Sequence, residues 1–209
     1  MAGNRLKPNR AVALHVAGAL LALAAAPAHA HLVETGFGAF YDGLAHVAMT
    51  PADLLVVVAI ALLAGQRGTQ AARWALLALP AAWLLGATIG TRFPSAAALP
   101  LLTTLTFAAV GALVVFDAKL RATSVALLAA AAGLVHGFVN GATMLPGGAG
   151  TLALAGAVAA VFCLLVIVAA EVTTLRAGWT RIAVRVAGSW IAAAGVLMLG
   201  WLARPLLTA

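Results

Sequence analysis

The sequence predicts an all-α fold, a polytopic membrane bundle of six transmembrane helices that follows a cleaved signal peptide. Of the 209 residues, 65% are hydrophobic and 8% are charged, and this charged share is about a third of that in a soluble domain. Such a chain cannot cover a surface in water with polar groups, so lipid is its expected solvent. The hydrophobic residues also fall into runs of the length that crosses a bilayer core of about 30 Å.

Residues 1–30 have the organisation of a signal peptide. Three basic residues precede an apolar run at 11–26, and Ala28-His29-Ala30 forms an A-x-A site of the kind that signal peptidase accepts. Cleavage there leaves a mature domain of residues 31–209 with His31 at its amino terminus. The alternative is an uncleaved first membrane helix, because the apolar run is long enough to cross a thin bilayer.

Six apolar segments follow in the mature chain, and each is long enough to be assigned as a membrane helix. Short joints that contain glycine or charge separate the segments, and no joint is long enough to form a second soluble domain. The segments lie at 50–65, 71–90, 97–117, 122–139, 150–175 and 184–203.

The basic residues of the joints predict the orientation in the membrane. Export places the mature amino terminus in the periplasm, and an even number of helices returns the carboxyl terminus to the same side. The expected location is therefore the bacterial inner membrane with both termini periplasmic, and the positive-inside rule favours it by seven basic residues to two. The cytoplasmic residues are Arg67, Arg73, Lys119, Arg121, Arg176, Arg181 and Arg185, and the periplasmic ones are Arg92 and Arg204.

The charge and the cysteine content exclude several classes of function. A net charge of +7 suits nucleic acid in a soluble protein, but here the basic residues stand singly between apolar runs. The single cysteine, Cys163, excludes an intrachain disulfide and a paired-thiolate metal site. No nucleophile and base stand at a usable spacing, so we expect neither an enzyme nor a tightly bound cofactor. The expected partner is the lipid bilayer, and the sequence leaves open a homo-oligomer or a partner membrane complex.

Asp42 and His46 lie four residues apart just before the first apolar segment. On a short interfacial helix they would share one face, where the carboxylate could orient the imidazole or both could bind one cation. The alternative is an ordinary interfacial ion pair or a helix cap.

Asp53 follows a pattern that is typical of a helix start. Thr50-Pro51-Ala52-Asp53 places a threonine at the N-cap, a proline at the first helical position and an acid at the third. The pattern predicts a capping role, although a carboxylate at this position would also face the periplasmic vestibule.

His136 lies near the end of the fourth apolar segment, where a histidine is costly in lipid and tends to face the bundle interior or water. Asn140 follows four residues later and shares its face. This position fits a site residue, and it also fits a structural hydrogen bond between helices.

His31 becomes a candidate ligand if the signal peptide is cleaved where we expect. Its α-amino nitrogen and imidazole nitrogen would then form a chelating pair that suits Ni²⁺ or Cu²⁺. The alternative is an exposed terminus without a role in binding.

Two short stretches resemble the motifs of a known family. The first is Gly-Phe-Gly-Ala-Phe-Tyr-Asp-Gly-Leu-Ala-His at 36–46, which leads to Pro51 and Asp53, and the second is His-Gly-Phe-Val-Asn-Gly at 136–141. Together with a signal segment that ends before a histidine and six helices of similar size, they resemble the HupE/UreJ membrane proteins. That family is accessory to nickel hydrogenases and ureases, and its members are regarded as nickel or cobalt permeases.

The chain differs from the family pattern at several positions, which marks it as a divergent member. Val47 follows His46 where the family usually has proline, and Leu54 follows Asp53 where the family usually has an Asp-His pair. In the second motif, Asn140 replaces a histidine and Thr143 replaces a glutamate.

The resemblance implies an inner-membrane permease or metal-handling accessory protein for a divalent transition metal, nickel or cobalt. Ni²⁺ or Co²⁺ would be transported or transiently bound. The alternative is a non-transporting membrane subunit or scaffold that anchors a partner complex, in which the same residues are structural. The periplasm-facing metal site would consist of His46, Asp42, His136, Asp53, Asn140 and His31.

Overall fold

The described parts of the chain form α-helices joined by short turns. In a computed structural model these parts are 34–93, 99–144, 150–176 and 178–207, and within them there are seven helices and no strand. The all-α fold class is therefore confirmed, while the signal peptide and His31 lie outside the described residues. The helices are α1 (Ala39–Met49), α2 (Pro51–Gln66), α3 (Thr69–Gly90), α4 (Pro100–Val115), α5 (Ala122–Met144), α6 (Gly150–Thr174) and α7 (Gly178–Leu207).

Helix length separates the elements that can cross a membrane alone from those that cannot. By length and composition, α3, α5, α6 and α7 are candidate spans within the described ranges. Helix α4 has 16 residues, and at about 24 Å it is shorter than a bilayer core of about 30 Å. The described residues therefore contain four candidate spans, or five with the pair described next, and the predicted six are supported only in part.

Helices α1 and α2 pass the same test together but are bent by 75° at the break between them. Thr50 forms the break in an extended conformation, with φ −94° and ψ 103°. Its position before Pro51 explains this, because a residue before proline is disfavoured in the helical region. The first apolar segment is thus part of a broken span or of a re-entrant pair.

The last predicted segment begins later than the helix that contains it. Helix α7 starts at Gly178 and not at residue 184. Its first turns carry Arg181 and Arg185, which form helices well but break an apolar run. The bounds were wrong here because hydropathy detects the apolar part of a helix and not its polar end.

Helix α2 is the centre of the bundle. It contacts each of the other described helices, and its buried residues lie on all of its faces. A helix that is apolar all round is expected to be enclosed by protein or lipid. Only its two ends are polar, with Asp53 in the first turn and Arg67 directly after the last residue.

Helices α3 and α5 approach closely where α5 has glycine. A Cβ on Gly137 would lie 2.0 Å from the carbonyl oxygen of Trp83, and a Cβ on Gly141 would lie 2.0 Å from that of Ala87. Small residues let membrane helices pack backbone against backbone in this way. The contact fixes the depth of α5 beside His136, the residue that precedes Gly137.

Helix α1 is held against α6 by a pair of glycines. A Cβ on Gly43 would lie 1.8 Å from the carbonyl oxygen of Ala153, and a Cβ on Gly156 would lie 1.9 Å from that of Phe40. Helix α1 is therefore packed onto the bundle, unlike a free interfacial helix.

Candidate functional site

A buried polar cluster joins α2, α4 and α5 near the N-terminal end of α2. The exposed fractions of Asp53, His136 and Asn140 are 2%, 0% and 1%. A polar group buried to this extent is costly unless it is hydrogen-bonded, because its lost hydration is not otherwise replaced.

The Asp53 carboxylate connects α2 to α5. Its Oδ1 lies 2.7 Å from His136 Nδ1, and its Oδ2 accepts a hydrogen bond of 2.8 Å from Asn140 Nδ2. Pro51 does occupy the first helical position, as its pattern predicted. Thr50 is the N-cap and Asp53 lies in the first turn, as that pattern also predicted, but no side chain of the described residues makes a capping hydrogen bond at this helix start. The Asp53 carboxylate oxygens are engaged across the helix interface instead.

Thr106 of α4 supplies the second contact of the His136 ring. Its Oγ1 donates to the carbonyl oxygen of Thr103 at 2.7 Å and lies 2.8 Å from His136 Nε2. The contact is a hydrogen bond between Thr106 Oγ1 and Nε2, and the tautomer of the ring decides which of the two atoms donates. The Nδ1 lone pair and the Asp53 carboxylate would repel each other without a hydrogen, so one hydrogen lies between Nδ1 and Oδ1.

Asn140 has one oxygen to spare. Its Nδ2 uses both hydrogens, one on Asp53 Oδ2 and one on the carbonyl oxygen of His136 at 3.0 Å. Its Oδ1 is buried and has no hydrogen-bond partner among the described residues. A buried acceptor left unpaired costs roughly 1–3 kcal/mol, and it is also an oxygen that a cation can use.

Trp83 of α3 closes one side of the cluster. Its side chain is fully buried, and its ring centroid lies 5.6 Å from that of His136 with an interplanar angle of 32°. Its Nε1 is a second buried polar atom without a hydrogen-bond partner in the described parts of the chain. The imidazole is thus held by packing on one side and by hydrogen bonds at both nitrogens.

The other predicted ligands are arranged differently. Asp42 accepts hydrogen bonds from the backbone nitrogen and Oγ1 of Thr35, at 2.6 and 2.7 Å. Asp42 therefore anchors the segment before α1. Its spacing from His46 had suggested that it orients the imidazole, but its hydrogen bonds go to Thr35 instead. His46 is half-buried on α1, and His31 lies outside the described residues.

The cluster combines two strong metal ligands with two weaker ones. Within the described ranges, no three histidine, cysteine, aspartate or glutamate side chains lie close enough together to hold a metal ion. The cluster holds two such side chains, Asp53 and His136, beside the Asn140 amide and the Thr106 hydroxyl. Metal binding here therefore stays a prediction. Thr106 and Trp83 were not identified from the sequence as members of the cluster. The signal for Thr106 was the presence of three threonines at positions 103, 104 and 106 of an otherwise apolar segment.

These observations define an all-helical membrane protein with a buried polar cluster at one end of its central helix. A family model described as HupE / UreJ protein matches residues 19–198, and the protein belongs to this family. Comparisons with curated proteins and with solved structures gave no match. Membership suggests an accessory membrane function for nickel or cobalt, in a family of metal transport and accessory proteins and not of catalysts.

Proposed function

We propose that the protein is an inner-membrane permease or metal-handling accessory protein for Ni²⁺ or Co²⁺, with its site at the periplasm-facing end of α2. The observation that carries the proposal is the buried contact between Asp53 and His136. Ionisable groups inside a membrane bundle are costly, and they commonly mark the path of an ion or proton. The family supplies the identity of the ion.

The contact between Asp53 and His136 offers two ligand atoms that one metal could bind. A carboxylate oxygen and an imidazole nitrogen are both ligands for divalent first-row metals. Two such ligands at about 2.1 Å from one ion, at a right angle, lie about 3.0 Å apart. A metal held by both atoms would release the hydrogen between them as a proton. The ion would lie off the line that joins Nδ1 and Oδ1, so the observed 2.7 Å separation would open by about 0.3 Å and the imidazole ring would turn its lone pair towards the ion.

The neighbouring residues would complete the site. The unpaired Oδ1 of Asn140 would supply a third ligand, and a water or His46 a fourth. Asp42 would attract the cation at the periplasmic entrance, where its negative charge raises the local metal concentration. In this arrangement Asn140 serves in place of the second histidine of the family motif.

Capture requires part of the bundle to move, because the cluster is enclosed. Helix α1 is the element best suited to this, since it ends at Met49 and connects to α2 through the single extended residue Thr50. Rotation of α1 about Thr50 would break its glycine contacts with α6 and open the end of α2 that carries Asp53.

A second candidate function is a non-transporting membrane subunit that anchors a partner complex. It is favoured by the saturation of the Asp53–His136 contact, in which both ring nitrogens and both carboxylate oxygens already have partners. Such a contact would serve as a permanent crosslink between α2 and α5.

Metal binding by the purified full-length chain in nonionic detergent separates the two functions. Titration calorimetry with Ni²⁺, Co²⁺ and Mg²⁺ would be applied to the wild type, Asp53→Asn, His136→Gln and the control Glu171→Gln, an exposed acid at the far end of α6. We expect Ni²⁺ or Co²⁺ to bind in preference to Mg²⁺, with affinity at least tenfold weaker in the first two variants and unchanged in the control.

Binding that is absent, or indifferent to both site variants, would refute the metal proposal. If the two variants also lowered the melting temperature without any metal binding, the scaffold function would remain. If the protein does bind metal, uptake of Ni²⁺ into proteoliposomes would distinguish a permease from a protein that binds metal without transport.

A further inference from the structure

A cavity of about 420 Å³ lies at the opposite end of α2 from the polar cluster. The joints that follow α2, α4 and α6 meet there with the first turns of α7. Asp53 and Arg67 are separated along α2 by about 21 Å at 1.5 Å per residue. The cavity is therefore a separate feature from the proposed metal site.

The charges around this cavity are unbalanced. Four basic side chains and one acid line it, an excess of three positive charges. A divalent cation would be repelled here, and an anion would be attracted. The five charged residues are Arg67, Lys119, Arg181, Arg185 and Asp117.

Arg67 is the most buried of these charges. Its side chain is 9% exposed, and one Nη atom forms an ion pair with Asp117 Oδ1. Its Nε is buried and has no hydrogen-bond partner among the described residues. The desolvation cost of a buried guanidinium with an unused donor is only partly offset by its ion pair. A basic residue that only sets the orientation in the membrane would stay exposed and would not bear this cost.

Asp117 cannot neutralise all the basic side chains of the cavity, because its carboxylate is shared between Arg67 and Lys119. Its Oδ2 accepts a hydrogen bond of 2.7 Å from Lys119 Nζ. That hydrogen bond, and then the positive charges of Arg67, Lys119 and Arg181, lower the pKa of Asp117 below its usual value. One carboxylate thus faces several cations at once.

Arg185 is fixed at the wall of the cavity. Its Nε donates a hydrogen bond of 2.7 Å to the carbonyl oxygen of Val115, the last residue of α4. The contact anchors α7 to α4 and holds the guanidinium beside the cavity. The cations therefore converge from three separate parts of the chain.

We propose that this cavity binds a phosphate group, carried either by an anionic phospholipid of the cytoplasmic leaflet or by free phosphate. The guanidinium fork matches phosphate oxygens in geometry and charge. The volume falls in the range of about 300–1,000 Å³ that is usual for small-ligand sites. Basic pockets between helices at a cytoplasmic membrane edge are also typical of headgroup binding.

Thermal unfolding of the full-length protein in nonionic detergent tests this directly. One arm adds potassium phosphate against potassium chloride at equal ionic strength. The other adds phosphatidylglycerol against phosphatidylcholine in mixed micelles. At about a hundred times Kd, we expect the bound ligand to raise Tm by about 5–10 °C.

Three variants localise the effect. Arg67→Gln and Arg181→Gln remove cations that line the cavity, and Arg121→Gln removes an exposed cation that does not line it. We expect the first two to weaken the apparent affinity at least tenfold and the third to leave it unchanged. If the buried Arg67→Gln variant fails to fold, Arg181→Gln decides the test, because Arg181 is exposed and its loss leaves the Arg67–Asp117 pair intact.

Each outcome has a definite meaning. A response to phosphate identifies a free anion as ligand, and a response to phosphatidylglycerol alone identifies a lipid headgroup. The proposal is overturned if neither ligand raises Tm, or if Arg121→Gln weakens the response as much as Arg181→Gln does. None of these readouts depends on metal, so the result is independent of the proposed metal function.

Discussion

The substitution Gly137→Ala tests the packing that positions the polar cluster. The new Cβ would lie 2.0 Å from the carbonyl oxygen of Trp83, whereas an ordinary contact is 3.4 Å or more. The obstructing atom belongs to the backbone, so α3 and α5 would have to separate by about 1.4 Å at this point. No side-chain rotation relieves the overlap.

The expected loss of stability follows from two opposing effects. Overpacking costs about 1–3 kcal/mol when neighbouring side chains can adjust, and the rigid contact here places the cost at or above the upper end. Replacement of a helical glycine by alanine returns about 1 kcal/mol. The net destabilisation of about 2 kcal/mol corresponds to a fall in Tm of about 4–8 °C for a chain of this size.

Gly200→Ala provides the matched control. Gly200 is also a helical glycine, in α7, but a Cβ there meets nothing within 4 Å. Both proteins would be purified in the same detergent, and their unfolding followed by circular dichroism. We expect Gly200→Ala to keep or raise the wild-type Tm, and a Tm for Gly137→Ala equal to that of the control would refute the close packing of α3 against α5.

Three further substitutions probe the remaining contacts. Thr106→Val keeps the side-chain shape but removes the hydrogen-bond partner of His136 Nε2, and we expect the free energy of unfolding to fall by about 1–3 kcal/mol; an unchanged urea midpoint would contradict that hydrogen bond. Gly156→Ala should displace α1 from α6 at Phe40, which increased proteolysis near α1 would report and an unaltered digest would exclude. Asn140→His restores the ligand of the family motif, and we expect Ni²⁺ affinity to rise by about tenfold; calorimetry showing no gain would count against a metal site here.

Much of the fold was predictable because it depends on local properties of the sequence. Every predicted apolar segment overlaps one of the helices α2 to α7. Hydropathy did not reveal that α4 is short or that α7 begins before its apolar part, since caps and polar turns set those limits. The separate helix α1 was expected only as a short interfacial element, and its packing against α6 was not foreseen.

The candidate site was predictable in its members but not in its connections. Asp53, His136 and Asn140 were recognisable as polar residues in or beside apolar segments, because polar side chains are rare and costly in such segments. The spacing of Asp42 and His46 suggested a pair that the structure replaces with Asp42 and Thr35. Local spacing did not predict the contact of Asp53 with His136, because it cannot measure distances between helices.

The sequence by itself determined that the chain is helical, belongs in lipid and carries a few polar residues at the ends of its helices. Hydrophobic length and the cost of buried polarity are properties of each segment, so they can be read without the fold. Only the tertiary structure decided that Asp53 meets His136 across 83 residues of chain, and that Arg67 shares Asp117 with Lys119. Such pairings depend on which helices are neighbours and how deeply glycine lets them approach, and no single segment contains that information.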